Sequence, residues 1–241
     1  MIDKNTNAVL RSQGLLFATL AEQVKQPFLT IAHAAELMRL HPGVAELERL
    51  FATISLTSEA AMKLIDGYLL SVQLQQNSGL PLEPVSLAST AYDTAQKLMP
   101  YARAHDCELE VDIRGKYGPV MARHEVVKTA LESLGYSFIE AAGRPGVKTR
   151  VVVSVRRIAG GMSAGVYSDT DKLSSTLFKQ AKVLKGVARQ PLGDFSAGSG
   201  AGVFVADALF EWLESPMRVA RLSGLQGLAA TMTASKQLNL V

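Results

Sequence analysis

The sequence predicts an α+β protein in two parts, an N-terminal two-helix hairpin followed by an α/β sandwich, and three observations lead there. Near the start, apolar residues recur at helical spacing on either side of a single break. A polar stretch interrupted by glycine and proline comes next, and beyond it strand-like and helix-like patterns are interleaved. A chain of 241 residues has room for two domains of ordinary size, and 48% hydrophobic against 20% charged residues supplies a core for both.

In the first part, Leu20, Val24, Phe28, Ile31, Ala35 and Met38 fall in steps of three and four and share one helical face. His41-Pro42-Gly43 breaks this helix, because proline disfavours helix in the residue before it and glycine turns the chain readily. A second stripe runs from Val44 through Leu47, Leu50, Phe51, Ile54, Ala61, Leu64, Ile65, Tyr68 and Val72. Residues 8–76 therefore read as an antiparallel hairpin within a domain spanning 1–78. Two helices bury little surface by themselves, so the stripe needs a second hairpin or another domain; a homodimer closing a four-helix bundle is the natural expectation.

Residues 79–84 form the linker, and the second domain occupies 85–241. Its pattern gives a helix over 86–104, an alternating strand Glu108–Ile113, a short strand Pro119–Ala122 and a helix over 124–142. Val151–Val155 is β-branched and apolar, and Met162–Ser168 pairs with it after Gly160-Gly161. A less ordered basic stretch from Lys179 to Phe195 leads to a glycine-rich turn and a helix over 201–214. Met217–Leu222 and Leu228–Thr233 close the fold as a hairpin around Ser223-Gly224.

Composition narrows the function. The 25 basic residues are scattered among 22 acidic ones for a net charge of +3, so no nucleic-acid partner is implied. The polar opening Met-Ile-Asp-Lys-Asn-Thr-Asn is unlike a signal peptide, and no apolar run reaches the ~18 residues that span a bilayer. These features predict a cytoplasmic protein without a membrane partner. Cys107 is the single cysteine, which excludes disulfide frameworks and multi-thiolate zinc sites within one chain.

The motifs then carry a resemblance. Ala21-Glu22-Gln23-Val24-Lys25-Gln26-Pro27-Phe28-Leu29 resembles the phosphoacceptor box of sensor histidine kinases, with Pro27 setting the register. The order of elements resembles the kinase core across nearly the whole chain: a HisKA-like hairpin, then a GHKL-type ATPase domain. In that register Glu22 stands where the family has its phosphorylated histidine, and Gln23 where it has the acid beside it. A carboxylate cannot supply phosphoramidate chemistry, so the nucleophile is missing. His33 lies eleven residues later, about three turns on, and shares the face of Glu22.

The helix Val126–Ala142 resembles the asparagine box, with Ser133 and Ser137 in place of the two asparagines. Ser137 falls where the family holds magnesium, and its shorter, neutral hydroxyl weakens or abolishes that contact. For the adenine-recognising aspartate the candidates are Asp169, Asp171 and Ser168, and none restores the glycines that follow it in the family. Ser196–Asp207 resembles the second glycine box. Its Gly198, Gly200 and Gly202 precede a helix, as suits a phosphate cradle, behind Lys182, Lys185 and Arg189. The alternative for these glycines is close helix packing.

The resemblance implies a two-component signalling protein. The leading expectation is a pseudokinase: a dimeric scaffold or regulator that docks a response-regulator receiver domain, or another histidine kinase, around Glu22 and Lys25, with binding of ATP and magnesium weak or lost. One alternative is a divergent active kinase or histidine phosphotransferase in a phosphorelay, using His33. Another is a nucleotide-binding sensor built on the glycine turn.

Overall fold

The computed structural model describes residues 4–40, 42–76, 80–115, 118–143, 148–159, 161–169, 173–184 and 200–235. Two long helices come first: α1 (Lys4–Met38) and α2 (Val44–Gln76). The Gly43 carbonyl accepts from the Leu47 amide and so starts α2, while the amides of Arg39 and Leu40 close the end of α1 on Glu36 and Leu37. His41 lies outside the described residues.

Next come β1 (Glu83–Val85), α3 (Leu87–Ala104), β2 (Cys107–Ile113), β3 (Val120–Ala122), α4 (His124–Ala142), β4 (Thr149–Ile158) and β5 (Gly161–Ser168). The chain continues through α5 (Ser175–Leu184), α6 (Gly200–Trp212), β6 (Arg218–Leu222) and β7 (Leu225–Met232). Five strands form a mixed sheet in the order β2-β4-β5-β7-β6, and β1 pairs separately with β3. Only β2 and β4 run parallel, and α4 lies in the crossover that a parallel pair requires. β6 and β7 join through Ser223-Gly224, where φ values of 48° and 89° give the doubly left-handed turn that suits a twisted hairpin.

α3 and α4 cover one face of the sheet. Alternation along the strands follows: Val151, Val153 and Val155 of β4 and Ala164 and Val166 of β5 join the core under the helices. Val152, Tyr167, Leu222, Leu225 and Ala229 make a small cluster on the other face. α6 packs along α4, and the hairpin packs on both, adding a third layer.

Leu16 and Leu20 of α1 and Ala60, Leu64 and Leu74 of α2 therefore belong to the same core as the sandwich. Part of the stripe that the sequence reading gave to a partner is thus covered by the chain itself. Phe17, Phe28, Phe51, Met62 and Leu69 remain exposed on the hairpin.

Four boundaries differ from the sequence reading. Glu83 and Pro84, read as linker, form an edge strand with Met121 and Ala122, a position where proline loses no ladder bond of a central strand. The stretch from Lys179 begins inside α5, whose Phe178 and Ala181 reach the core. β4 runs beyond Val151–Val155 at both ends, and β7 starts at Leu225. The rest of the expected basic stretch, 185–199, and the linker residues 77–79 lie outside the described residues.

Candidate functional site

On α1, Glu22 and Lys25 are both exposed and form an ion pair of 2.5 Å one turn apart. Such an exposed pair contributes little to stability. His33 is also exposed.

Gln23 points the other way and is 7% exposed. Its Oε1 accepts from the backbone N–H of Ala201 in the first turn of α6, one of the amides that a helix start leaves without an intrahelical partner. Its Nε2 donates to Glu140 of α4 over 3.5 Å, and the Tyr101 hydroxyl of α3 donates to the other oxygen of that carboxyl at 2.8 Å. One glutamine of the hairpin thus ties together the start of α6 and the end of α4, and through Glu140 reaches α3.

Burial pushes the Glu140 pKa up to about 7, against the hydrogen bonds from Tyr101 and Gln23, which favour the ionised form. Tyr101 is raised by burial and by the charge of Glu140. Its ring meets Tyr136 edge-on at 4.9 Å and His105 at 4.4 Å, and burial lowers the pKa of that histidine.

Ser133 and Ser137 are buried on the side of α4 that faces α6. A Cβ on Gly202 would stand 2.4 Å from Ser137 Oγ and 2.6 Å from the Ser133 carbonyl oxygen, so this glycine lets the two helices touch. On the hairpin side, a Cβ on Gly67 would meet Val205 at 2.9 Å and Ser133 Oγ at 3.2 Å. The structure therefore gathers Gln23, Ser133, Ser137 and Gly202 at one junction of α1, α2, α4 and α6, with Gly200 as the first residue of α6. Gly198 lies outside the described residues.

Asp169 stands apart from this junction, exposed after the last residue of β5, while Ser168 is buried within the strand. The carboxylate of Asp169 adds to the raised pKa of Cys107, which burial dominates and a hydrogen bond with Thr149 opposes. Asp171 is outside the described residues. Among the described residues, no group of three or more His, Cys, Asp or Glu side chains is placed to hold a metal ion.

Lys182 of α5, expected to serve a phosphate, instead pairs with Asp207 at 2.8 Å and Glu211 at 2.9 Å. Burial works against its charge, but the two carboxylates of α6 outweigh that and raise its pKa. Asp207 is fully buried in an otherwise apolar stretch of helix, where a charge persists only with a partner. Lys185 and Arg189 lie outside the described residues.

Glu140, Tyr101, Asp207 and Gly67 were not singled out from sequence. A lone acid within Val203–Phe210 was a usable signal for Asp207. Nothing local marks Gln23 as the partner of a residue 178 positions away.

A helical hairpin followed by this mixed sheet and its helices is the core fold of a sensor histidine kinase. Among solved structures, the Acinetobacter baumannii histidine kinase AdeS matches with a TM-score of 0.54 at 10% identity, over 89% of this chain and 98% of that one. The histidine kinase ThkA in complex with the response regulator protein TrrA matches with a TM-score of 0.58 at 12% identity, over 94% of this chain and 63% of that one. Full-length ShkA in complex with AMPPNP matches with a TM-score of 0.54 at 14% identity, over 95% of this chain and 46% of that one. No protein-family model matches the chain, and no curated protein matches it. Among the described residues, no helix is long and apolar enough to cross a membrane.

Proposed function

We propose that this chain is a pseudokinase of two-component signalling: a dimeric scaffold that docks a response-regulator receiver domain on its hairpin and transfers no phosphoryl group. The observation that carries this reading is the junction around Gln23. Ser133, Ser137 and Gly202, which would meet a nucleotide if they served as their counterparts do, are in contact with one another, and the Ala201 amide is engaged by Gln23. These residues do not fit ATP and magnesium: the hydroxyl placed for the metal lies against a glycine of α6, and the cradle amide already has an acceptor. Gly202 serves packing, the alternative reading of the glycine turn.

Two further observations support the scaffold. Glu22, at the phosphoacceptor position, is exposed beside Lys25 and presents a carboxylate where phosphoryl transfer needs an imidazole. The likeness in fold to ThkA, solved in complex with a response regulator protein, makes a receiver domain the natural partner for that face. Dimerisation is favoured by the exposed apolar residues Phe51, Met62 and Leu69, which fall at helical spacing along α2.

The test is calorimetric titration of the full chain with receiver domains from response regulators of the same genome, alongside sedimentation of the chain alone. A saturable complex weakened by Glu22→Lys and by Lys25→Glu, formed by a sedimenting dimer, is the expected result. Phosphoryl transfer to or from the chain, detected as acid-labile phosphate, would overturn the assignment.

A further inference from the structure

Two stripes of ionisable side chains meet between α3 and α4, and the hairpin closes one end of them. On α3, Lys97, Tyr101 and His105 follow one another at the four-residue spacing of one helical face, as do Glu132, Tyr136 and Glu140 on α4. At one end Glu132 meets the Lys97 ammonium at 3.3 Å. At the other end Glu140 meets only neutral groups, the Tyr101 hydroxyl at 2.8 Å and Gln23 Nε2 at 3.5 Å, and no lysine or arginine pairs with it among the described residues.

The backbone fixes the polarity of this chain of hydrogen bonds. The Ala201 N–H can only donate, so the Gln23 amide turns its oxygen to α6 and its nitrogen to Glu140. Glu140 Oε2 must therefore accept. A proton on this carboxyl has its place on Oε1, where the Tyr101 oxygen accepts once its own hydroxyl turns. The neutral acid thus keeps the whole chain of bonds and carries no charge to desolvate. The carboxylate keeps the bonds too, but its charge has no counter-ion at a contact whose hairpin side, Gln23, is 7% exposed. When α1 lifts away, water replaces Gln23 at Oε2, supplies an equivalent hydrogen bond and solvates that charge. Burial, which outweighs both hydrogen bonds at Glu140 and pushes its pKa up to about 7, acts in the same sense.

We propose that Glu140 makes the joint between hairpin and sandwich a proton-controlled latch: the protonated acid keeps α1 seated on α6 through Gln23, and ionisation of the acid loosens it. The apolar contacts of Leu16, Leu20 and Leu64 do not titrate and hold the joint in either state. The other groups around the carboxyl do not mimic the effect. Tyr101 and Tyr136 are raised by burial and stay neutral, with Glu59 of α2 and Glu132 adding to the rise at Tyr136. Burial lowers the pKa of His105, so its titration acts with the opposite sign. From α1, Glu22 and Lys25 face solvent, and α6 brings the Ala201 amide. The latch does not rest on the scaffold reading, since it is internal to the chain and needs neither nucleotide nor partner.

The experiment is amide hydrogen exchange of the full chain from pH 6 to 8, with each rate divided by the intrinsic rate of the unfolded amide at that pH. Ala201 and the α1 amides near Gln23 are expected to be less protected than Val153 and Val166 of the sheet, and to lose about tenfold of that protection between pH 6 and 8. Glu140→Gln offers an acceptor to Gln23 and a donor to Tyr101, as the protonated acid does, and should flatten the profile at high protection. Carbon NMR of the Glu140 carboxyl in the unmodified chain provides a second reading, with a midpoint near 7 expected. Protection at Ala201 independent of pH would overturn the latch, as would a carboxyl titrating in the ordinary range or a pH dependence that survives Glu140→Gln. Equal protection at Ala201 and in the sheet at every pH would also overturn it, because the hairpin would then part only when the whole fold does.

Discussion

The side-chain oxygen of Gln23 in α1 accepts the hydrogen bond of the Ala201 amide in α6, so a residue of the hairpin supplies the cap for a helix of the sandwich. Removing it strands a buried donor. Gln23→Ala should cost about 1–3 kcal/mol in chemical denaturation and accelerate hydrogen exchange at the Ala201 amide well beyond that at the centre of α6. Unchanged exchange at Ala201 would refute the cap.

The contact between Gly202 and Ser137 predicts a local intolerance to size. Gly202→Ala places a methyl group against the Ser133 carbonyl, which is backbone and cannot swing aside, and should destabilise the chain by about 1–3 kcal/mol. Gly14 is the contrast: it is exposed in α1 with no atom near its missing Cβ, so Gly14→Ala should stabilise by about 0.5–1 kcal/mol. Urea midpoints of the two variants check both signs.

Glu140 gives the fold a pH dependence. Its pKa rises from an ordinary carboxylate value to about 7 on folding, so the native state binds the proton more tightly than the unfolded chain does. Its stabilising contribution is therefore fully present below about pH 4.5 and is lost as pH rises through 7. Glu140→Gln should flatten the stability profile across that window and raise stability at pH 8 by on the order of 2 kcal/mol, discounted for the solvent the part-buried carboxyl still meets. Denaturation curves from pH 5 to 8 measure it.

Lys182 and Asp207 make the buried charge pair that fastens α5 to α6. Lys182→Met removes the ammonium 2.8 Å from the buried Asp207 carboxylate and should cost about 3–5 kcal/mol, while the double variant Lys182→Met, Asp207→Leu should recover most of the loss. A double variant no more stable than the single one would show that the pair does not act as a unit.

The sequence specified the elements that carry strong local signals. α4 begins and ends at the residues its periodicity indicates, because Val127, Ala130, Leu131, Leu134 and Phe138 mark one face over about three turns. The end of α5 from Lys179 on falls in the stretch expected to be irregular, because only Phe178 and Ala181 of this ten-residue helix reach the core and so short an apolar face gives a weak periodic signal. β1 was hidden by Pro84, a residue that argues for a linker unless an edge strand is waiting for it. At the site, the positions of Glu22, Ser133, Ser137 and Gly202 were readable from the order of the motifs. What they touch was not: whether a glycine faces a ligand or another helix depends on packing between segments far apart in sequence. The covered stripe of the hairpin has the same origin, because amphipathicity shows that a face is buried but not what buries it.

The most direct test of the account is a titration of the full chain with a fluorescent ATP analogue, with and without magnesium, competed by unlabelled ATP and ADP. With Gln23 on the Ala201 amide and Gly202 against Ser137, no saturable, competable binding is expected up to millimolar nucleotide. Competable binding at micromolar concentrations would contradict it, and would mean that the junction opens to admit the nucleotide.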